Sequence, residues 1–303
     1  MTHAPFTAYL APLGFVQDLC DELGGAVTDV YDRLVLAKGE PRPVIWADNV
    51  WLNPQWINIS SIGDAAQKLK AIQRNWANYA FDFHRRSQLI VEKLPHVSAK
   101  PIRFPAALPT APLGSWTLVD NGLMLASAAC TSPYPNGAYV FEENKTEAPN
   151  RAYLKLWEAL MRVQKFPQAG DTCIDMGACP GGWSWVLQQL GANVISVDKA
   201  PLAPHIASLP RIRYIGESAF ALKPEDIGKV DWFFSDIICY PERALRLVKA
   251  WKESGLVRNM VSTIKFQGDT DLGILDAFRE ISGSSIVHLY NNKNEVTWFN
   301  LEG

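Results

Sequence analysis

The run from Thr172 to Asp198 restricts the fold more than any other stretch of the chain. It reads Thr-Cys-Ile-Asp-Met-Gly-Ala-Cys-Pro-Gly-Gly-Trp-Ser-Trp-Val-Leu-Gln-Gln-Leu-Gly-Ala-Asn-Val-Ile-Ser-Val-Asp. Cys173 to Met176 is short and mostly apolar, the pattern of a strand buried on both faces of a parallel sheet. Gly177 permits a turn in which a ligand can approach the backbone without meeting a Cβ. Pro180 suits the first turn of a helix, where its missing N–H is not needed. That helix runs to a stop at Gly191, Asn193 to Val197 form the next strand, and Asp198 ends it. An acid at this place can accept hydrogen bonds from both hydroxyls of a ribose.

Two ligand classes fit such a strand–turn–helix–strand unit, a dinucleotide or S-adenosylmethionine. The turn reads Gly177-Ala-Cys-Pro-Gly-Gly182 and lacks the G-x-G-x-x-G pattern. A pyrophosphate wants a row of backbone N–H groups at the helix start, and Pro180 removes one. The unit therefore favours a nucleoside ligand without phosphates. Without a ligand, the same pattern is simply a strand and helix of a doubly wound domain.

A chain of 303 residues suggests two or three domains. From Arg151 onward helices and strands alternate. Ala152–Val163 is expected as a helix, Arg211–Ile215 and Val230–Ile238 as further strands, and Pro241–Trp251 as a helix. Asn259–Phe266 is expected as a strand, Asp271–Ile281 as a helix, and Ser285–Tyr290 and Val296–Leu301 as a closing hairpin. This is an α/β sheet of Rossmann-like type, mostly parallel, with an antiparallel final hairpin.

The first half reads differently, as a smaller α+β region. Phe6–Leu10 and Val27–Leu36 are expected strands flanking a helix over Phe15–Leu23. Trp46, Trp51 and Trp56 are expected in its core. Five prolines between Pro95 and Pro112 suggest an extended connection. Paired strands over Trp116–Ala129, turning at Asp120-Asn-Gly122, follow; a further strand is expected over Ala138–Phe141. These readings divide the chain at 1–94, 95–148 and 149–303.

Net charge is −2, so the whole chain has no basic signature for nucleic acid. Residues 68–103 depart from this balance. Lys68, Lys70, Arg74, Arg85, Arg86, Lys93, Lys100 and Arg103 stand against only Asp82 and Glu92, with Trp76, Tyr79, Phe81 and Phe83 among them. Basic residues interleaved with aromatics suit RNA, through phosphate contact and base stacking. The alternative is a solvated helix whose aromatics turn inward. Five cysteines without C-x-x-C spacing argue against a disulfide framework and fit a reducing cytoplasm. No signal peptide or membrane span is expected at the sequence level. His3, His84, His96, His205 and His288 are too dispersed for a metal site.

Lys155, Asp236, Lys265 and Glu295 are the candidate reactive set. Asp236 and Lys265 fall near carboxyl ends of expected strands, where open α/β sheets place their ligands. Glu295 begins an antiparallel strand and reaches the same edge, and Lys155 lies on the helix before the sheet. Two lysines and two acids suit methyl transfer to a ribose hydroxyl, whose proton must leave as it attacks. A lysine acts as base there only when its pKa falls, and burial and a second ammonium both lower it. Carboxylates orient the amines. Taken singly, each of the four reads equally as a surface ion-pairing residue.

Gly177-Ala-Cys-Pro-Gly-Gly-Trp183 with Ser196-Val-Asp198 closely resembles the FtsJ-like family of S-adenosylmethionine-dependent ribose 2′-O-methyltransferases. Asn150-Arg-Ala-Tyr-Leu-Lys-Leu-Trp-Glu158 is similar to the segment carrying that family's first catalytic lysine. The resemblance implies a Lys-Asp-Lys-Glu tetrad at Lys155, Asp236, Lys265 and Glu295. Lys265 would be the general base, tuned by Lys155 and Glu295, with Asp236 against both lysine and cofactor. It implies S-adenosylmethionine bound by Gly177, Ala178, Cys179, Pro180, Gly181, Gly182, Trp183, Asp198 and Asp236. Where the family has an adenine-contacting Asp, Gly216-Glu-Ser-Ala-Phe220 offers Ser218, with Glu217 beside it. The implied partner is RNA, in particular large-subunit ribosomal RNA. The resemblance also implies ferredoxin-like and THUMP-like parts in the N-terminal region, which is short for both. A cofactor-binding RNA chaperone or assembly factor with vestigial activity is the alternative, and a nicotinamide-dependent oxidoreductase a third reading.

Overall fold

Apolar runs bounded by glycine, proline and polar turns give fifteen strands and nine helices in a computed structural model that describes residues 5–98, 100–268 and 270–302. Two units result, one from residues up to Ile102 with Leu108–Val140, the other from Arg103–Ala107 with residues from Phe141. His3 lies outside the described residues.

The first unit opens with β1 (Phe6–Leu10), α1 (Val16–Leu23), β2 (Val27–Tyr31), β3 (Leu34–Lys38) and β4 (Asn49–Trp51). These strands form an antiparallel sheet in the order β2-β3-β1-β4. That is the ferredoxin-like order without its second helix. The expected single strand over Val27–Leu36 is two, because Asp32 takes a left-handed φ of 55° and reverses the chain.

A second sheet follows, built from β5 (Gln55–Asn58), α2 (Ile62–Ile72), β6 (Trp76–Asn78), α3 (His84–Val91), β7 (Gly114–Asp120) and β8 (Leu123–Ser127). Its order is β5-β8-β7-β6. Residues 95–148 therefore do not stand apart, since β7 and β8 pair with β6 and β5. No strand forms over Ala138–Phe141, where Val140 accepts one backbone hydrogen bond, from Ile102. Trp46 and Trp51 are core as expected, but Trp56 lies on β5 and is 38% exposed.

The second unit holds α4 (Tyr153–Val163), β9 (Thr172–Met176), α5 (Gly182–Gln189), β10 (Asn193–Val197), α6 (Pro204–Ala207), β11 (Ile212–Ile215), α7 (Pro224–Ile227) and β12 (Val230–Ser235). It closes with α8 (Pro241–Glu253), β13 (Val257–Lys265), α9 (Leu272–Arg279), β14 (Ser284–Val287) and β15 (Glu295–Asn300). Sheet order is β11-β10-β9-β12-β13-β15-β14. The first five strands are parallel, and β15 runs against both of its neighbours. Strand order reverses between β9 and β12, which opens a crevice at their carboxyl ends. Trp232, Phe233 and Phe234 of β12 are buried, as a central parallel strand requires.

Candidate active site

The turn after β9 is tight for reasons internal to the protein. Gly177 has φ +81°, and a Cβ there would lie 2.7 Å from Ile237 Cγ1 on the neighbouring strand's loop. Gly181, the N-cap of α5, has φ +113°, and its Cβ would lie 2.7 Å from Ile206 Cγ2. These glycines are needed for close packing of the chain on itself. Pro180 sits in the turn, before the N-cap rather than inside the helix.

Asp198 closes the opposite side of the turn. Its Oδ2 accepts the Cys179 N–H at 3.0 Å and its Oδ1 the Ala200 N–H at 3.0 Å. Two backbone donors thus fix a half-buried carboxylate that still has lone pairs for further donors. Ala178 is buried in the same turn. Trp183 points elsewhere, with Nε1 donating to Ala152 O at 2.9 Å and the ring edge-on to Phe234, so it belongs to the core. Glu217 and Ser218 follow β11 at the same sheet edge. Glu217 is exposed, and Ser218 Oγ accepts the Phe220 N–H at 3.3 Å.

Beside this turn four charged side chains close into a ring. Lys155 comes from the first turn of α4, Asp236 from the residue after β12, Lys265 from the end of β13 and Glu295 from the start of β15. The antiparallel register pairs Lys265 directly with Glu295. Lys155 Nζ reaches Asp236 Oδ2 at 2.7 Å and Glu295 Oε1 at 3.0 Å. Lys265 Nζ reaches Asp236 Oδ1 at 2.8 Å and Glu295 Oε2 at 3.4 Å. Each cation thus touches both anions, and side-chain exposure runs only from 8% for Glu295 to 19% for Lys265.

The ring's electrostatics overturn one expectation. Burial favours a neutral Lys265, but Asp236 and then Glu295 outweigh it and raise the ammonium's pKa above the ordinary lysine value. Alternation around the ring gives each lysine two carboxylates to touch, which outweighs the other ammonium. Asp236 shows the converse. Burial alone would raise its pKa, yet Lys155 and Lys265 hold it below the usual carboxylate range.

Two contributors had gone unrecognised in the sequence. Thr263 donates its hydroxyl to Asp236 Oδ1 at 2.8 Å, and its spacing of two from Lys265 on β13 puts both on one face. Glu158, one turn beyond Lys155, is the other.

Another carboxyl lies beneath the turn. Asp175 on β9 is 1% exposed and accepts the Ser184 hydroxyl at 2.6 Å, which meets Ser196 Oγ at 2.7 Å. Its Oδ1 has no hydrogen-bond partner. Burial pushes its pKa up to about 7, against the Ser184 hydrogen bond and with help from Asp236 and Asp198. The folded chain therefore holds a proton that the unfolded chain releases from about pH 4 upward. Stability should fall as pH rises from about 4 to about 7, by up to about 1.4 kcal/mol per pH unit, then level off. Asp175→Asn, which copies the neutral carboxyl, should lack this component. Melting midpoints of both proteins from pH 4.5 to 8.5 check it, and parallel curves would refute it.

Among the described residues no group of three or more His, Cys, Asp or Glu side chains could hold a metal ion, and no helix is long and apolar enough to cross a membrane.

Residues 148–283 match the model of the FtsJ-like methyltransferase family. Over 158 residues the chain is 33% identical to a ribosomal RNA large subunit methyltransferase M from Halorhodospira halophila, covering 50% of this chain and 46% of that protein. A protein of the same name from Xanthomonas oryzae is 26% identical over 257 residues, covering 79% of this chain and 70% of the other. The chain thus aligns with less than half of the first relative's length. Among solved structures, TrmN from Thermus thermophilus is similar with a TM-score of 0.41 at 14% identity, covering 98% of this chain and 99% of that one.

Proposed function

We propose that this chain, whose residues 148–283 form an FtsJ-like methyltransferase domain, transfers a methyl group from S-adenosylmethionine to a ribose 2′-hydroxyl of large-subunit ribosomal RNA. The observation that carries the reading is the buried ring of Lys155, Asp236, Lys265 and Glu295 at the crevice beside β9 and β12. The relatives' printed name supports ribosomal RNA as the substrate.

The residues lining the crevice fit a nucleoside. A pinned carboxylate at Asp198 suits two hydroxyl donors and repels phosphate, and Pro180 offers the turn no N–H. The turn 177–181, Asp198 and Asp236 would hold the cofactor, with Ser218 and Glu217 toward its base. When bound, S-adenosylmethionine supplies a methyl group on a positively charged sulfur. Lys265 Nζ, in its neutral form, would take the proton of the 2′-hydroxyl. Asp236 and Glu295 orient the amine, and Lys155 offsets their charge so that Lys265 can release its own proton.

Incubation with methyl-labelled S-adenosylmethionine and unmodified large-subunit RNA tests the reading. Label on a ribose oxygen is expected; label on a base, or none at all with cofactor binding intact, would overturn it.

RNA affinity is proposed to rest partly on residues 68–100, through phosphate contacts. Trp76 and Tyr79 are buried, so they cannot stack on bases, whereas Lys70, Arg74, Arg85, Lys93 and Lys100 are exposed. Lys68 is tied to Asp64 at 2.9 Å. Arg103 pairs with Glu142 in the second unit. Neutralising those five should weaken RNA binding and flatten its log–log salt dependence by about 0.7 per lost phosphate contact. An unchanged slope in a titration from low to high salt would place RNA elsewhere.

A further inference from the structure

Glu158 is the most enclosed acid of the second unit, with 0% of its surface exposed. Burying a carboxylate is costly unless its lone pairs are engaged, and here four hydrogen-bond donors and an ion pair engage it. Tyr290 N–H and Arg162 Nε donate to Oε1 at 2.8 and 2.9 Å, and Arg162 Nη2 forms an ion pair with it at 2.9 Å. The Asn291 N–H and its side-chain Nδ2 donate to Oε2 at 2.8 Å each. Arg162 lies on α4 with Glu158, whereas Tyr290 and Asn291 lie in the loop between β14 and β15. Glu158 therefore clamps that loop to the helix that carries Lys155.

The loop passes this constraint on to the ring. Asn292 Nδ2 donates to Glu295 O at 3.1 Å and to Thr297 Oγ1 at 3.2 Å. Asn294 Nδ2 donates to Phe266 O at 3.2 Å, and Phe266 N–H returns to Asn294 O at 3.2 Å. The short path from Asn291 to Glu295 is thus braced at both of the asparagines between them. Lys155 and Glu295 meet at 3.0 Å, one helical turn from the Glu158 clamp. Two attachments, one buried and one in the crevice, join α4 to the segment entering β15.

We infer that Glu158 is a positioning residue, which sets the placement of Glu295 against Lys155 and Lys265 by holding the β14–β15 loop on α4. The inference rests on the proposed role of the ring in methyl transfer. Loosening the clamp should let Glu295 withdraw, leaving Lys265 with Asp236 alone. Misplacement of a reacting group by about 1 Å costs on the order of 100-fold in rate.

The test uses the full chain with Glu158→Gln, Glu295→Gln and the double variant, together with Asn291→Ala as a milder change that deletes one donor. Single-turnover methyl transfer at saturating cofactor and RNA should fall about 10- to 100-fold in Glu158→Gln, with cofactor affinity within about threefold of wild type. The double variant should be little slower than Glu295→Gln, because both changes remove the same contact. Asn291→Ala should move the rate in the same direction by less. Additive losses, or a rate that drops only in step with cofactor affinity and melting midpoint, would overturn the inference. A second readout needs no turnover, namely titration of the lysine side chains by 13C NMR. The Lys265 midpoint should move down in Glu158→Gln as Glu295 withdraws, and an unmoved midpoint would also overturn the inference. If the wild type shows no methyl transfer to RNA, the proposed reaction falls, and the lysine titration still decides the role of Glu158.

Discussion

Lys265→Ala is expected to lower the single-turnover rate of methyl transfer by about 10²- to 10⁴-fold, the usual contribution of a positioned proton acceptor. Cofactor affinity should survive, since Asp198 keeps its backbone partners and Asp236, which Lys265 touches, is still held by Lys155 and Thr263. The fold should survive too, because Lys155 still bridges Asp236 and Glu295. The pH profile carries a sharper signature. Asp236 and Glu295 hold Lys265 protonated above the ordinary lysine range, so the neutral base is scarce at pH 7 and its share grows about tenfold per pH unit. The wild-type rate should climb through the alkaline range, and that of Lys265→Ala should be flat. Loss of cofactor binding in the variant, or the same pH slope in both proteins, would remove Lys265 from the role of base.

Asp236→Ala should damage stability as well as rate. Asp236 contacts both lysines and accepts the Thr263 hydroxyl, so its removal leaves two mostly buried ammoniums to share Glu295. Breaking a buried pair costs about 3–5 kcal/mol when fully enclosed, and the partial exposure of both lysines brings the expectation to about 2–4 kcal/mol. The midpoint in denaturant should fall with the slope unchanged. The sign of the pH dependence separates this cause from a packing defect. With one ammonium in excess, the folded state disfavours that charge and binds fewer protons than the unfolded chain. Stability of Asp236→Ala should then rise toward alkaline pH as the lysine is neutralised. In the wild type the raised Lys265 pKa acts in the opposite direction. A deficit independent of pH would mean that the ring is electrostatically slack.

How much of this was legible in the chain depended on whether a feature was local. Thr172 to Asp198 announced its strand, turn, helix and strand because central parallel strands have no polar face. The four ring residues could be placed at one edge because strand ends and an antiparallel last strand determine which way each points. The joining of β7 and β8 to β5 and β6 spans dozens of residues and leaves no mark in any local pattern. Asp32 broke the expected strand without a glycine to signal it. Trp183 looked like part of a ligand turn because adjacency in sequence does not separate a helix's buried face from its cofactor end. The direction of the Lys265 shift depended on how the charges alternate in space, and two lysines in a list suggest repulsion instead. Glu158 was invisible for a different reason. Among its partners are two backbone N–H groups, and every residue but proline carries one.

The insertion of β15 between β13 and β14 has a consequence for the order in which the molecule becomes competent. The turn at Gly177 meets Asp236 only when β9 pairs with β12, Cys173 lying opposite Trp232, the less local pairing of the two. β15 pairs with β14 across a short loop, Val287 opposite Thr297, and with β13 at Lys265 and Glu295. A half-assembled sheet would already join Lys265 to Glu295 while lacking the strands that frame the ligand turn. Capture of the small molecule and capacity to act on it are thus built as separate events in folding.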